Sequence, residues 1–234
     1  MENNDEKHIT NDMNWYNADM IILHHGSPQI VERPCFGLGN PSNDYGLGFY
    51  CTLEQEAAKL WASRSVNGFV NSYRINAKGL RILDLTKEEF SALHWLSLLL
   101  QHRRLEPRFA DHHQALLRDL FAKYPVSLEG YDAVVGYRAD DRYFRYCKDF
   151  LSNALDYGSL TRALSLGKLG LQYVLISPEA FARLSFIEAR RIGEEWLDGY
   201  QKKMRSVDEE YDEVLRNVDH VNGVFLRDLL YDRH

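Results

Sequence analysis

A chain of 234 residues, 45% of them hydrophobic, carries enough apolar surface for one large domain or two small ones. Its 34 acidic residues against 28 basic ones leave a formal charge of -6, which excludes a whole-domain electrostatic footprint for nucleic acid. The three cysteines, Cys35, Cys51 and Cys147, are odd in number and widely spaced, so they fit neither a disulfide framework nor a paired-cysteine zinc site, and a reducing cytoplasm is the expected setting.

Residues 1–17 lack apolar periodicity and carry Glu2, Asp5, Glu6 and Asp12 without the basic start and apolar run of a signal peptide; they read as a flexible tail ahead of a single domain over residues 18–234. No run approaches the ~18 apolar residues of a membrane span. The longest candidate, residues 93–100, is interrupted by His94 and Ser97.

Met20-Ile21-Ile22-Leu23-His24-His25 reads as a buried strand stopped by Gly26-Ser27-Pro28. Alternation across a strand points His24 and His25 to opposite faces, so only one can serve a cleft. A Gly/Pro loop over residues 34–41 then delivers the chain to Asp44-Tyr45-Gly46-Leu47-Gly48-Phe49-Tyr50-Cys51-Thr52. Gly46 and Gly48 free the backbone for a sharp turn or a close approach to a flat ligand, and the residues after them suit a strand. Thr52 reads as the N-cap of a helix over about residues 53–64, with Glu54 and Glu56 in its first turn. Tyr50 is then either a ring on a cleft wall or a buried strand tyrosine.

Residues 69–75 alternate as a half-exposed strand should, and a short strand over 81–85 follows. Thr86 with Glu89 three residues on forms a capping box that opens a helix through Phe90, Leu93 and residues 96–100. A further helix is expected over 111–123, facing Leu116, Leu117, Leu120 and Phe121 inward. His112 and His113 are adjacent on that helix and do not share a face, so no metal site is implied. Arg103, Arg104 and Arg108 form one basic cluster, and Arg138, Arg142 and Arg145 a second; each is either a solvated face or a phosphate site.

A strand over 131–137 runs into Arg138-Ala139-Asp140-Asp141-Arg142-Tyr143-Phe144, the densest polar and aromatic cluster in the chain. One aspartate can cap the next helix, but that does not account for both, nor for the arginines. Helices over 143–155 and 159–166 precede a strand over 171–177, in which Gln172 interrupts an apolar face. A buried Gln without partners costs about 1–3 kcal/mol, so Gln172 must pair with backbone or with a ligand. Pro178 starts a short helix, residues 182–188 give a last strand, and 189–217 repeat apolar positions at three and four, as one long amphipathic helix packing on its own domain or on a partner.

The ordered set of His25-Gly26-Ser27, Asp44-x-Gly-x-Gly-Phe-Tyr-x-Thr and a late strand carrying Gln172 resembles the three-strand signature of ADP-ribosyltransferase folds. It is closer still to a bacterial family of that superfamily found beside a small partner gene in the manner of toxin and antitoxin. That family also shows Gly136-Tyr137-Arg138-Ala139-Asp140-Asp141-x-Tyr143-Phe144 and Gly167-Lys168-Leu169-Gly170-x-Gln172. The resemblance spans residues 21–215 and implies an α+β fold: a split β-sheet core with inserted helices and a long C-terminal helix. It implies NAD as co-substrate and transfer of ADP-ribose, or NAD hydrolysis, by a toxin-type effector that modifies a cellular macromolecule and meets a small antitoxin-like protein.

The same resemblance assigns roles. His25 hydrogen-bonds a ribose hydroxyl, Tyr50 stacks on nicotinamide, and Gly26, Ser27, Gly48 and Phe49 lie beside them. In the wider superfamily the third position is usually a Glu that binds the ribose 2′-hydroxyl and stabilises the developing positive charge, and here the matching strand offers Gln172. Gln orients a hydroxyl but brings no negative charge, so Asp140 or Asp141 supplies the carboxylate, with Arg138 completing the pocket, or the chemistry is slow, or the fold only binds. The competing expectation is an inert fold that binds NAD or a protein partner.

Overall fold

The computed structural model describes residues 19–64, 67–138, 141–166, 170–193 and 195–231, with Asp141 and Arg142 described by backbone alone. The architecture is α+β. Three antiparallel strands, β1 (Met20–Ser27), β3 (Phe69–Asn76) and β7 (Leu184–Arg191), form one sheet in the order β1-β3-β7. Strands β2 (Phe49–Cys51), β4 (Ile82–Asp84), β5 (Ala133–Tyr137) and β6 (Leu171–Leu175) form a second sheet in the order β2-β6-β5-β4, in which only β4 and β5 run parallel. The sheets touch through one bridge. The His24 N–H donates to the Thr52 carbonyl at 2.8 Å and the Thr52 N–H returns to the His24 carbonyl at 2.9 Å. Beyond it β1 and β2 part, and the gap between them becomes a cleft.

The second sheet is buried on both faces, which is why β5 reads Ala-Val-Val-Gly rather than alternating. Ala133, Val135, Tyr173 and Leu175 face the first sheet, where they meet Ile21, Leu23 and Ile75. Val134 and Val174 face the opposite way, into the helical layer. That layer is built by α2 (Ala92–His102), α3 (Pro107–His112), α4 (Gln114–Lys123), α5 (Asp141–Leu151), α6 (Tyr157–Ser165), α8 (Glu195–Arg216) and α9 (Leu226–Tyr231). Helix α5 buries Tyr143, Tyr146, Cys147, Phe150 and Leu151, a stripe at helical spacing. Met204, Val207 and Tyr211 of α8 close onto it, with the Tyr211 ring 3.8 Å from that of Tyr146 and its hydroxyl donating to Asp149 at 2.7 Å. The amphipathic seam of α8 is thus used within its own domain.

Helix α1 (Gln55–Ala62) covers the other face of the first sheet, where Ala58 and Ala62 pack on Val70 and Ile192. It approaches β1 so closely that a Cβ on Gly26 would stand 2.7 Å from the Ala62 amide nitrogen and 2.8 Å from Trp61 Cβ. Gly26 is therefore required by helix–strand packing. Strand β1 also runs through Gly26-Ser27, past the turn signal that the sequence places there, because β3 offers Val70 and Phe69 as partners.

Several local expectations give way to tertiary contacts. Thr52 does not cap α1. Its backbone is held extended by the His24 bridge, its Oγ1 accepts only from the Glu54 N–H, and Glu54 becomes the N-cap residue without a side-chain cap bond. Thr86 opens no capping box, because both its N–H and its hydroxyl donate to Asp84 Oδ1, at 2.9 and 2.7 Å. The box forms instead at Ser91, whose N–H donates to His94 Nδ1 at 3.0 Å, ahead of α2. The helix expected over 111–123 is two, divided at His113, and strand β3 is central and largely buried rather than half-exposed. The long helix expected from residue 189 starts at Glu195, since β7 continues along β3 to Arg191 before α8 begins. The short helix at Pro178 is present as α7 (Pro178–Ala182).

Replacing Gly26 by Ala should destabilise the fold by about 1–3 kcal/mol through overpacking, read as a lowered urea midpoint with an unchanged m-value.

Candidate functional site

The parting of β1 from β2 opens a cleft of about 580 Å³, within the range of small-molecule sites. His25 and Ser27 line it from β1, Phe49 and Tyr50 from β2, and Gln172 from β6. Arg138, just past β5, and Asp44, Gly26 and Gly48 also line it, so every described residue that the sequence nominated borders one cavity. Asp140 lies outside the described residues, as does the side chain of Asp141. His24 points to the opposite face of β1, where its Nδ1 meets Ser72 Oγ at 2.9 Å, as strand alternation dictates.

His25 Nδ1 lies 2.7 Å from the Tyr50 carbonyl oxygen. A carbonyl only accepts, so the proton sits on Nδ1 and Nε2 is left as an acceptor. Burial pushes the imidazole below its ordinary pKa of 6.5, only partly opposed by the bond to Tyr50, and keeps the ring neutral near pH 7. The ring packs 4.6 Å from Phe49 and 6.4 Å from Trp61. The Trp61 ring also carries the Arg138 guanidinium 4.3 Å above its centroid, a cation–π contact that holds a 5% exposed arginine at the cleft wall.

Tyr50 is 6% exposed and its hydroxyl is fully employed. It donates to the Gly46 carbonyl at 2.7 Å and accepts from the Tyr45 N–H at 2.9 Å, closing the glycine loop on itself. Burial accordingly drives its phenol far above the ordinary range. Tyr50 is a wall with a hidden hydroxyl. The glycines beside it answer to packing: a Cβ on Gly48 would stand 2.6 Å from Val174 Cγ1, and Gly46, at φ +73°, lies against the His102 ring. The Ser27 hydroxyl is likewise engaged, donating to the Gln29 carbonyl and accepting from Asn71 Nδ2 at 3.3 Å.

The polar centre of the cleft joins Gln172, which the sequence singled out, to Asp44 and Arg103, to which it assigned no role in the site. Gln172 is 1% exposed, and its Nε2 donates to Asp44 Oδ2 at 2.8 Å. Asp44 is 5% exposed, and Arg103 Nε donates to its Oδ1 at 2.9 Å. The pairing expected for Gln172 was with backbone or ligand; the structure gives it a carboxylate. Because that carboxylate only accepts, the amide orientation is determined, and Gln172 Oε1 is turned away from it. Among the described residues this buried oxygen has no hydrogen-bond partner. Arg103 enters from the C-terminal end of α2, separated from the exposed Arg104 and Arg108. The sequence signal for Asp44 was its place two residues ahead of Gly46; for Arg103 there was none beyond membership of a basic cluster. Arg33 and Arg64 also line the cleft, so among the described residues four arginines and one aspartate border it.

Tyr50→Phe should lower stability by about 1–3 kcal/mol by leaving the Tyr45 N–H and the Gly46 carbonyl unpaired, read by chemical denaturation. His25 should titrate below 6.5 by NMR. Since the unfolded histidine takes its proton first, its contribution to stability is complete above pH 6.5 and falls as the pH drops through the lower folded value, the same direction expected of His24, His94 and His102.

No curated protein and no solved structure matches the chain significantly. The profile of a family described as "Protein of unknown function (DUF3990)" matches residues 21–186, which carry the whole second sheet, the first sheet up to the start of β7, and all the cleft residues named above. On that match, over more than half of its length, the chain belongs to the DUF3990 family.

Proposed function

We propose that this protein consumes NAD, as an ADP-ribosyltransferase or an NAD glycohydrolase, on an ADP-ribosyltransferase-like split sheet. The observation that carries this reading is Gln172, a residue that lines the cleft and whose buried Oε1 has no partner among the described residues. An acceptor left so costs about 1–3 kcal/mol, and a ligand hydroxyl relieves it. Two further features support the same ligand. Besides the Arg103–Asp44 ion pair, Arg33, Arg64 and Arg138 line the cleft, and in a chain of net charge -6 they concentrate positive potential suited to a diphosphate. Phe49, the neutral His25 and Trp61 offer aromatic surface for a flat base. A sugar hydroxyl, a diphosphate and a flat heterocycle together describe a dinucleotide.

In the reaction the bond between the ribose carbon and nicotinamide breaks, and the electron pair leaves on the pyridine nitrogen. The ribose carries positive charge until water, or an oxygen or nitrogen of a cellular macromolecule, adds and releases a proton. On this reading His25 Nε2 accepts from a second ribose hydroxyl, Gln172 Oε1 orients the hydroxyl next to the reacting carbon, Tyr50 and Phe49 back the nicotinamide, and Arg138 receives the phosphates. A second reading, binding of NAD without turnover, is favoured by one observation: the residue at the reacting ribose is an uncharged amide.

The test is incubation with NAD labelled in its ADP-ribose part, with and without bacterial lysate, following nicotinamide by chromatography and label on macromolecules. Nicotinamide should appear, and Gln172→Leu should reduce its rate on the order of 100-fold. Tight NAD binding with no nicotinamide released would favour the second reading; neither binding nor release would overturn both.

A further inference from the structure

We propose that Asp44 supplies the negative charge of this site, acting on the reacting ribose through the amide of Gln172; the inference rests on the NAD reading above. The carboxylate sought in the sequence at Asp140 or Asp141 has a well-placed counterpart in the glycine loop. Asp44 Oδ2 receives the Gln172 N–H at 2.8 Å, and that amide is 1% exposed. A hydrogen bond from an amide N–H to an anion pushes the nitrogen lone pair toward the carbonyl and makes the opposite oxygen, Oε1, a stronger acceptor with more negative charge. Oε1 is the atom without a partner among the described residues. The pair thus holds a polarised oxygen on a residue that lines the cleft, at the position where the wider superfamily has a Glu carboxylate.

Two further features make this more than a structural ion pair. Asp44 itself borders the cleft, and at 5% exposure its field there is little screened by water. Arg103 takes the other oxygen, Oδ1, at 2.9 Å, so the carboxylate is oriented with Oδ2 committed to Gln172. The loop is fixed on both sides of Asp44 by the same logic: the next N–H, of Tyr45, is held by the Tyr50 hydroxyl at 2.9 Å, and the Tyr45 hydroxyl donates to the Tyr137 carbonyl at 2.5 Å. Asp44 takes no proton and forms no covalent bond. It stabilises the cationic ribose between departure of nicotinamide with its electron pair and addition of water, whose proton passes to solvent. It is a positioning residue for Gln172, and its removal lowers turnover more than binding.

The test uses the full chain with NAD and compares wild type, Asp44→Asn, and the exchange Asp44→Asn/Gln172→Glu, which returns one carboxylate and one amide to the same contact. Nicotinamide release gives kcat and KM, and a cooperative urea transition reports folding. Asp44→Asn should lower kcat about 100-fold with KM changed by less than about threefold, and the exchange should recover at least about tenfold of the loss. Wild-type turnover with Asp44→Asn undiminished overturns this inference and leaves the NAD reading standing. If Asp44→Asn does not fold, the exchange decides: folding recovered without turnover overturns the inference, and both recovered supports it. A wild-type chain that neither binds NAD nor releases nicotinamide overturns the NAD reading and this inference together.

Discussion

A buried carboxylate has to be compensated where it stands, and Asp44 is the point at which this constraint organises the molecule. Its two oxygens are taken by Arg103 from the end of α2 and Gln172 from β6, so one short loop ties a helix of the packed layer to a central strand. Losing either partner leaves charge in a low-dielectric interior, at a cost of several kcal/mol. The loop is in turn stapled by the Tyr50 hydroxyl, and Tyr45 is anchored by Trp95 Nε1, which donates to its hydroxyl at 3.0 Å. Gly136 leaves the space on β5 that the Tyr45 ring fills. The polar network and the core are therefore set by the same few residues.

The cleft itself is a consequence of strand geometry. Among the described residues the two packed, twisted sheets are linked through their backbones at the His24–Thr52 bridge, and the residues that follow on β1 and precede on β2 line the cleft. The lining includes His25, Phe49, Tyr50 and Trp61 together with four arginines, and the buried Oε1 of Gln172 has no partner among the described residues.

The family match ends at residue 186, inside β7, so the sheets and the cleft lie in the matched part while α8 and α9 follow it. Helix α8 nonetheless completes the core, through Tyr211 stacked on Tyr146. The hydrophobic seam that suggested a partner surface in the sequence is largely consumed in this packing.

The sequence by itself determined most of the strands and helices, though not α9 or the start of α3, because period-2 and period-3.6 patterns of apolar residues survive without knowledge of neighbours. It also nominated His25, Phe49, Tyr50, Arg138 and Gln172, all of which border the cleft, since a polar or aromatic residue beside a glycine turn or inside an apolar strand is conspicuous locally. Local signals failed where a competing partner lies far along the chain: the Thr52 cap yielded to a bridge with His24, the Thr86 box to Asp84, and the start of the last helix to the open edge of β3. Only the tertiary structure decided the partners of Gln172. The bond to Asp44 spans 128 residues and joins β6 to the loop ahead of β2. No periodicity encodes such a contact, because it exists only once two sheets and a helix have brought an amide, a carboxylate and a guanidinium together out of water.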